Sequence, residues 1–243
     1  MTGSESTAVG EGRIAWVTGA GRGIGRAVAE ALAQRGLRVV LSARSKAQIE
    51  EVAASINDAG GKALAIPADV TKQEELTALV AKVRAAWGAI DILVNNAGVW
   101  RFTEVTKTTL EEWQEQIAVN LTGAFLCTKA VLEDMLRRGS GHIINIISVA
   151  GKRPYARCAA YCAAKYGLLG FTEVLRMEVR KKGIRVTAIF PGATDTPGWE
   201  ADAERRTQMM RPQSVAQAVV AACLAPPDVM PEEIVLRPVP GDL

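Results

Sequence analysis

Apolar positions along the chain follow two alternating rhythms. Short, nearly continuous runs rich in Val, Ile and Leu occupy Arg13–Thr18, Arg38–Ser42, Lys62–Pro67, Ile90–Val94, His142–Ser148, Arg185–Phe190 and Glu233–Arg237. Such runs predict strands buried on both faces. Between them, Gly25–Arg35, Lys46–Ala59, Gln73–Trp87, Thr109–Arg138, Ala159–Lys182 and Ser214–Leu224 repeat apolar residues at helical spacing, which predicts helices. Strands that alternate with helices run parallel, each helix returning the chain for the next strand. Right-handed crossovers then give an α/β fold, a doubly wound parallel seven-stranded sheet with helices on both faces. No linker or repeat divides the chain, so residues 13–243 read as a single domain after a polar, Gly-rich stretch, 1–12, expected to be a disordered tail.

Composition narrows the function classes. The 243 residues are 49% hydrophobic, enough for a substantial core. Basic and acidic residues number 29 and 26, a net +3, and the cations are scattered apart from Arg137-Arg138 and Arg180-Lys181-Lys182. A nucleic-acid footprint needs a denser basic face. Cys127, Cys158, Cys162 and Cys223 have no metal-ligand spacing, and the single histidine, His142, opens a strand and reads as structural. Zinc sites and His-based catalysis are thereby disfavoured, and no metal is expected. No apolar run approaches the ~18 residues of a membrane span, and the start lacks a signal-peptide pattern, so a cytoplasmic location without membrane contact is expected.

In a doubly wound sheet ligands bind beyond the carboxyl ends of the strands, and those ends carry the unusual residues here. After the first strand comes Thr18-Gly19-Ala20-Gly21-Arg22-Gly23-Ile24-Gly25, leading into a helix. Glycines there let backbone N–H groups approach a pyrophosphate, and the helix N-terminus attracts its charge. Ser42-Ala43-Arg44 follows the second strand, where a fold that prefers NAD offers an acid to the ribose. Arg44 with Arg22 is instead suited to clamp an extra 2′-phosphate. Asp69-Val70 and Asn95-Asn96-Ala97-Gly98 end the third and fourth strands, and Pro191-Gly192-Ala193-Thr194-Asp195-Thr196 ends the sixth. Each is ordinary turn chemistry when taken alone. Ser148 closes the fifth strand, and thirteen residues later Tyr161-Cys-Ala-Ala-Lys165 sets a phenol and an ammonium one helical turn apart. A fixed cation beside a phenol, whose ordinary pKa is near ~10, favours the phenolate and fits the pair for acid/base work on an alcohol or carbonyl.

From about Arg13 to Arg237 this set resembles the short-chain dehydrogenase/reductase family, through Thr18-Gly-x-x-x-Gly23-x-Gly25, Asp69-Val70, Asn95-Asn-Ala-Gly98, Asn120, Ser148, Tyr161-x-x-x-Lys165 and Pro191-Gly192 with Thr196. The resemblance implies a single-domain Rossmann-type fold and an oxidoreductase. Tyr161 would act as general acid/base, and Lys165 would lower its pKa and bind the nicotinamide ribose. Ser148 would hydrogen-bond the substrate oxygen, and Asn120 would hold a water linking Lys165 to solvent. Gly19, Gly21, Arg22, Gly23, Ile24, Gly25, Arg44, Asp69, Val70, Asn96, Ala97, Gly98, Pro191, Gly192, Thr194 and Thr196 would join Tyr161 and Lys165 in binding the cofactor, with NADP(H) preferred through Arg22 and Arg44.

The middle of the chain looks most like 3-oxoacyl-(acyl carrier protein) reductases, in Ile147-Ser-Val-Ala-Gly151 and around Tyr161. The expected reaction is reduction of a 3-oxoacyl thioester. An acyl carrier protein is then a candidate partner, received by Arg137, Arg138, Arg180, Lys181 and Lys182 beside the active-site mouth; the same cations also suit helix C-termini. The ending Glu233-Ile-Val-Leu-Arg-Pro238 resembles instead small-carbonyl reductases acting on 3-hydroxy acids, sugars or polyols, which is the alternative substrate class. An NADP(H)-sensing protein is the non-enzyme alternative, and retention of Ser148, Tyr161 and Lys165 argues against it. Val99, Trp100, Ala150, Lys152, Tyr155, Ala193 and Trp199 are expected to face the substrate with Ser148 and Tyr161. A homotetramer or homodimer is expected, pairing the helices at Thr109–Arg138 and Ala159–Lys182 through small residues such as Gly123, Ala124, Ala160, Ala163 and Ala164.

Overall fold

The computed structural model describes residues 12–198 and 203–241. Its elements, in chain order, are β1 (Ile14–Thr18), α1 (Gly23–Ala33), β2 (Arg38–Ser42), α2 (Lys46–Asp58), β3 (Lys62–Ala65), α3 (Gln73–Ala86), β4 (Ile92–Asn95), α4 (Leu110–Ile117), α5 (Gly123–Arg138), β5 (Gly141–Ile146), α6 (Ala159–Val179), β6 (Ile184–Pro191), α7 (Ala203–Gln208), α8 (Pro212–Cys223) and β7 (Glu233–Leu236). The strands form a seven-stranded sheet in the order β3-β2-β1-β4-β5-β6-β7. Every pairing is parallel.

Strict alternation along each strand sends its residues to two separate cores. Ala15 and Val17 of β1, with Val39, Leu41, Ile144 and Ile146, pack under α1, α2 and α8. Their neighbours Ile14 and Trp16, with Val40, Leu93 and Ile143, pack under α3, α5 and α6. Both faces of the sheet are therefore covered, which is why the strands read as apolar runs without polar alternation. Chain order reverses at β1, whose neighbours are β2 and β4, and the crevice at this switch point is where a doubly wound sheet holds a ligand.

The long helix expected over Thr109–Arg138 is interrupted. A capping box starts α4, with Thr109 Oγ1 accepting from Glu112 N and the Glu112 carboxylate accepting from Thr109 N. A π turn at Ala118–Thr122 then separates α4 from α5 and carries the buried Asn120. Gly123 follows because a side chain there would strike Val70 Cγ2 at 2.7 Å. Among the small residues expected at a subunit interface, Ala124, Ala160 and Ala164 are buried within the chain. The outer faces of α4, α5 and α6 instead expose Trp113, Phe125, Tyr166 and Met177.

Candidate active site

The carboxyl ends of β1, β2, β4, β5 and β6 open into one cleft of about 1300 Å³. Its lining includes Gly19, Gly21, Arg22, Gly23, Ile24, Arg44, Asp69, Val70, Asn96, Ala97, Gly98, Trp100, Asn120, Ser148, Ala150, Tyr155, Tyr161, Lys165, Pro191, Gly192, Thr194 and Thr196. Of the described residues expected to bind cofactor or substrate or to carry the catalysis, Gly25 and Lys152 lie off that surface. Trp199 lies outside the described residues.

One half of the cleft is a backbone cradle. Gly19 adopts φ +64°, and a Cβ there would sit 2.9 Å from Ala97 Cα. Thr18 Oγ1 accepts from the backbone N–H groups of Asn96 (2.9 Å) and Ala97 (3.0 Å), and Asn96 Nδ2 donates to Thr18 O (2.9 Å). The first glycine turn and the Asn-Asn-Ala-Gly turn are thus stitched together across β1 and β4. Gly25 works from behind: its Cβ would lie 2.3 Å from Gly19 O, so glycine is what lets α1 close onto the turn. Arg22 and Arg44 are exposed at this end. Asp69 Oδ1 accepts from Thr71 N (2.9 Å) and Thr71 Oγ1 (2.8 Å), which fixes the loop after β3.

The other half gathers the acid/base groups. β5 ends at Ile146, and Ser148 stands two residues further on with φ 147° and ψ 157°, a region that only glycine enters easily. Its Oγ accepts from Ala150 N at 3.1 Å, inside a tight turn over Val149–Gly151. The Ser148 hydroxyl stands beside the Tyr161 phenol and favours its ionised form. Burial against Ala150, Cys158 and Cys162 outweighs that influence and pushes the Tyr161 phenol up to about 12. Lys165 Nζ donates to Ile146 O at 2.9 Å, and burial pulls its ammonium down to about 7. The expected lowering of Tyr161 by Lys165 is therefore not what the structure shows. Lys165 is drawn to a backbone carbonyl, 5.6 Å from the Tyr161 ring centre, and desolvation dominates both groups.

A family model for the short chain dehydrogenases matches residues 13–207. The chain belongs to that family. A 3-oxoacyl-[acyl-carrier-protein] reductase of Synechocystis is 46% identical over 186 residues, 75% of each chain. A sepiapterin reductase of Chlorobaculum tepidum is 37% identical over 238 residues, 95% of this dehydrogenase and 98% of that protein. Among solved structures, a metagenomic short-chain oxidoreductase in complex with NADP superposes with a TM-score of 0.85 at 36% identity, covering 95% of this chain and 99% of the other.

Two expectations for this dehydrogenase, on Lys152 and on the basic helix ends, are corrected. Lys152 does not line the cleft: its ammonium pairs with Glu233 Oε2 at 2.6 Å and lies over the Phe190 ring. Asn120 donates to Val99 O (2.7 Å) and Gln116 O (2.8 Å) and accepts from Val99 N (3.2 Å), which fixes the π turn against the loop after β4. The cations at Arg137–Arg138 and Arg180–Lys182 sit where α5 and α6 end, next to the starts of β5 and β6, at the edge opposite the cleft. Arg138 is tied there to Asp91 and to the carbonyls of Ala89 and Ile90. Sequence reasoning also missed Phe102, Thr103, Arg157, Arg205 and Met209, which line the cleft from the loop after β4, the loop before α6 and the α7 region. None carried a turn or spacing signal of its own.

Proposed function

We propose that this dehydrogenase uses NADPH to reduce the ketone of a 3-oxoacyl compound to a secondary alcohol. The convergence of Ser148, Tyr161 and Lys165 on one wall of a dinucleotide-shaped cleft carries the proposal. The residues present fit the cofactor. Glycines at Gly19 and Gly23 leave room for a pyrophosphate, and the buried Thr196 Oγ1 has no partner among the described residues, as a group awaiting a ligand would. Arg22 and Arg44 at the same end, with no acid following β2, favour the 2′-phosphate form, as does the relative solved with NADP. When bound, NADPH supplies the hydride.

Ser148 holds the carbonyl oxygen and Tyr161 gives it a proton as negative charge builds there. Burial pushes the Tyr161 phenol up to about 12, so it is protonated at neutral pH and stands as the proton donor when the ketone is reduced. Lys165, anchored on Ile146, fixes one wall of the site and offers its remaining donors to a ribose.

Two forms of the 3-oxoacyl compound have support: a carrier-protein thioester from the Synechocystis relative, and a free acid from the cationic substrate end of the cleft. Within one chain the basic helix ends lie away from the cleft. Antiparallel pairing of α5 and α6 between two copies, through Trp113, Phe125, Tyr166 and Met177, would set them beside the partner's cleft. A homodimer or homotetramer thus belongs with the carrier-protein reading, and a cytoplasmic setting with both. The decisive assay follows NADPH absorbance against a 3-oxoacyl thioester and its free acid. Tyr161→Phe should lose about 100-fold or more in kcat while still binding NADPH; retained turnover would remove the proposal.

A further inference from the structure

Arg157 occupies a position that chain geometry reserves for glycine. Its φ is +64°, the left-handed region, where a non-glycine residue carries a standing cost. The residue is pinned there by a parallel bridge between Thr103 and Cys158, with Thr103 N donating to Arg157 O at 2.8 Å. That bridge ties the loop after β4 to the loop before α6, so both walls of the substrate end move as one. Arg157 lines the cleft, and its guanidinium donates to Phe102 O at 3.2 Å. Among the described residues it has no carboxylate partner, whereas Arg101 on the same wall is neutralised by Glu115 at 3.0 Å. A backbone cost accepted for a cation held at the substrate end, without an acid to balance it, marks a group that awaits an anion.

We propose that Arg157 receives an oxyanion carried by the substrate close to its ketone, and that this oxyanion is the carboxylate of a short oxo acid. The position rests on the carbonyl-reductase reading above and sharpens it. Arg157 stands in the loop before α6, four residues ahead of Tyr161, so the backbone between them spans at most about 14 Å, and both residues line the cleft. A carboxylate separated from the ketone by a carbon or two fits that interval. The phosphate of a pantetheine thioester is the other source of an oxyanion, but two amide-linked units separate it from the carbonyl, which is too long for the same span.

The test compares kcat/KM for 3-oxobutanoate, its ethyl ester and its coenzyme A thioester, with NADPH, in the wild type and in Arg157→Gly, Arg157→Gln and Arg157→Lys. Glycine removes the cation and relieves the backbone, so a folding defect cannot explain its result. The acid-to-ester ratio should fall about tenfold in the Gly and Gln variants, through KM for the acid, as expected for one charge-assisted hydrogen bond. Lys should restore part of it, and the wild-type ratio should shrink as salt rises. An acid-to-ester ratio unchanged in Arg157→Gly overturns the proposal while leaving the reductase reading intact. A ratio that changes only for the thioester assigns the oxyanion to the phosphate and overturns the oxo acid. Absence of turnover with all three substrates, the neutral ester included, overturns the reductase reading and this proposal with it.

Discussion

Replacing Thr196 with Val should strengthen the free protein and weaken its cofactor complex, two effects of opposite sign from one atom. Thr196 is buried, and its Oγ1 has no hydrogen-bond partner among the described residues. Its methyl lies beside Gly23, with Cγ2 3.1 Å from where a Cβ on that glycine would stand, and valine keeps a methyl there. A buried hydroxyl without a partner costs about 1–3 kcal/mol, so exchanging it for a methyl should raise unfolding stability by about 1 kcal/mol. For a domain of this size that is a gain of about 2–4 °C in Tm. If the hydroxyl instead finds its partner on the nicotinamide end of NADPH, its loss should raise the NADPH Kd about 3- to 10-fold. Thermal unfolding with and without NADPH, together with a fluorescence titration, reads both quantities. Thr194→Val is the control: Thr194 Oγ1 donates to Gly192 O at 3.0 Å, so that variant should lose stability. A Thr196→Val protein with a lower Tm, or with an unaltered NADPH Kd, would refute the assignment of Thr196 to the cofactor.

Two other perturbations probe distant parts of the molecule. Arg44→Ala should raise the NADPH Kd about 10- to 100-fold, the value of a charge-assisted contact to the 2′-phosphate, and leave NADH within a factor of two or so; equal losses for both cofactors would defeat the clamp. His142 lies at the opposite edge, where Thr187 Oγ1 donates to Pro231 O at 2.6 Å and so accepts from His142 Nε2. Its Nδ1 has no partner among the described residues, and burial, with Arg185 and Arg13 nearby, holds its pKa down to about 3. The unfolded chain binds this proton near its ordinary ~6.5 while the native state resists it to about 3, so stability should fall as pH drops through that window, by on the order of 4 kcal/mol. His142→Gln should move acid unfolding to lower pH, and an unchanged acid limb would show that His142 does not drive it.

Elements buried on both faces were the most legible part of the chain. Val39, Val40 and Leu41 face alternately into two cores, so β2 reads as an unbroken apolar run whatever its neighbours. The π turn left no such trace, because one extra residue in a turn does not disturb the apolar periodicity on either side, and Asn120 and Gly123 were the only irregularities. The glycines were legible because glycine marks close approach. Arg157 was not, since its residue type contradicts the conformation it holds. The partner of Lys165 is a backbone carbonyl, which no side-chain pattern reveals. Placement of the basic helix ends was decidable from chain direction alone: a helix leaving the cleft edge of a parallel sheet must end at the other edge.

The acid/base wall is over-determined by contacts that are themselves not catalytic, and this explains how Ser148 keeps its conformation. A non-glycine residue at φ 147° costs about 1–3 kcal/mol and persists only where its surroundings leave it no alternative. On one side, the turn after Ser148 is closed by Gly151 N donating to Ser148 O at 2.9 Å, and a Cβ on Gly151 would press on Ile147 and on the Lys165 carbonyl. On the other, Lys165 Nζ reaches across to Ile146 O, two residues before Ser148. The start of α6 and the end of β5 thus grip each other through Gly151 and Lys165, with Ser148 in the short span between. Tyr161 sits one turn before Lys165 on the same helix, so the grip that strains the serine also sets the phenol against it. Proton donor and oxygen-binding hydroxyl are therefore positioned by a single packing event, the docking of α6 on β5, which leaves the loops around Trp100 and Arg157 to differ without disturbing the chemistry.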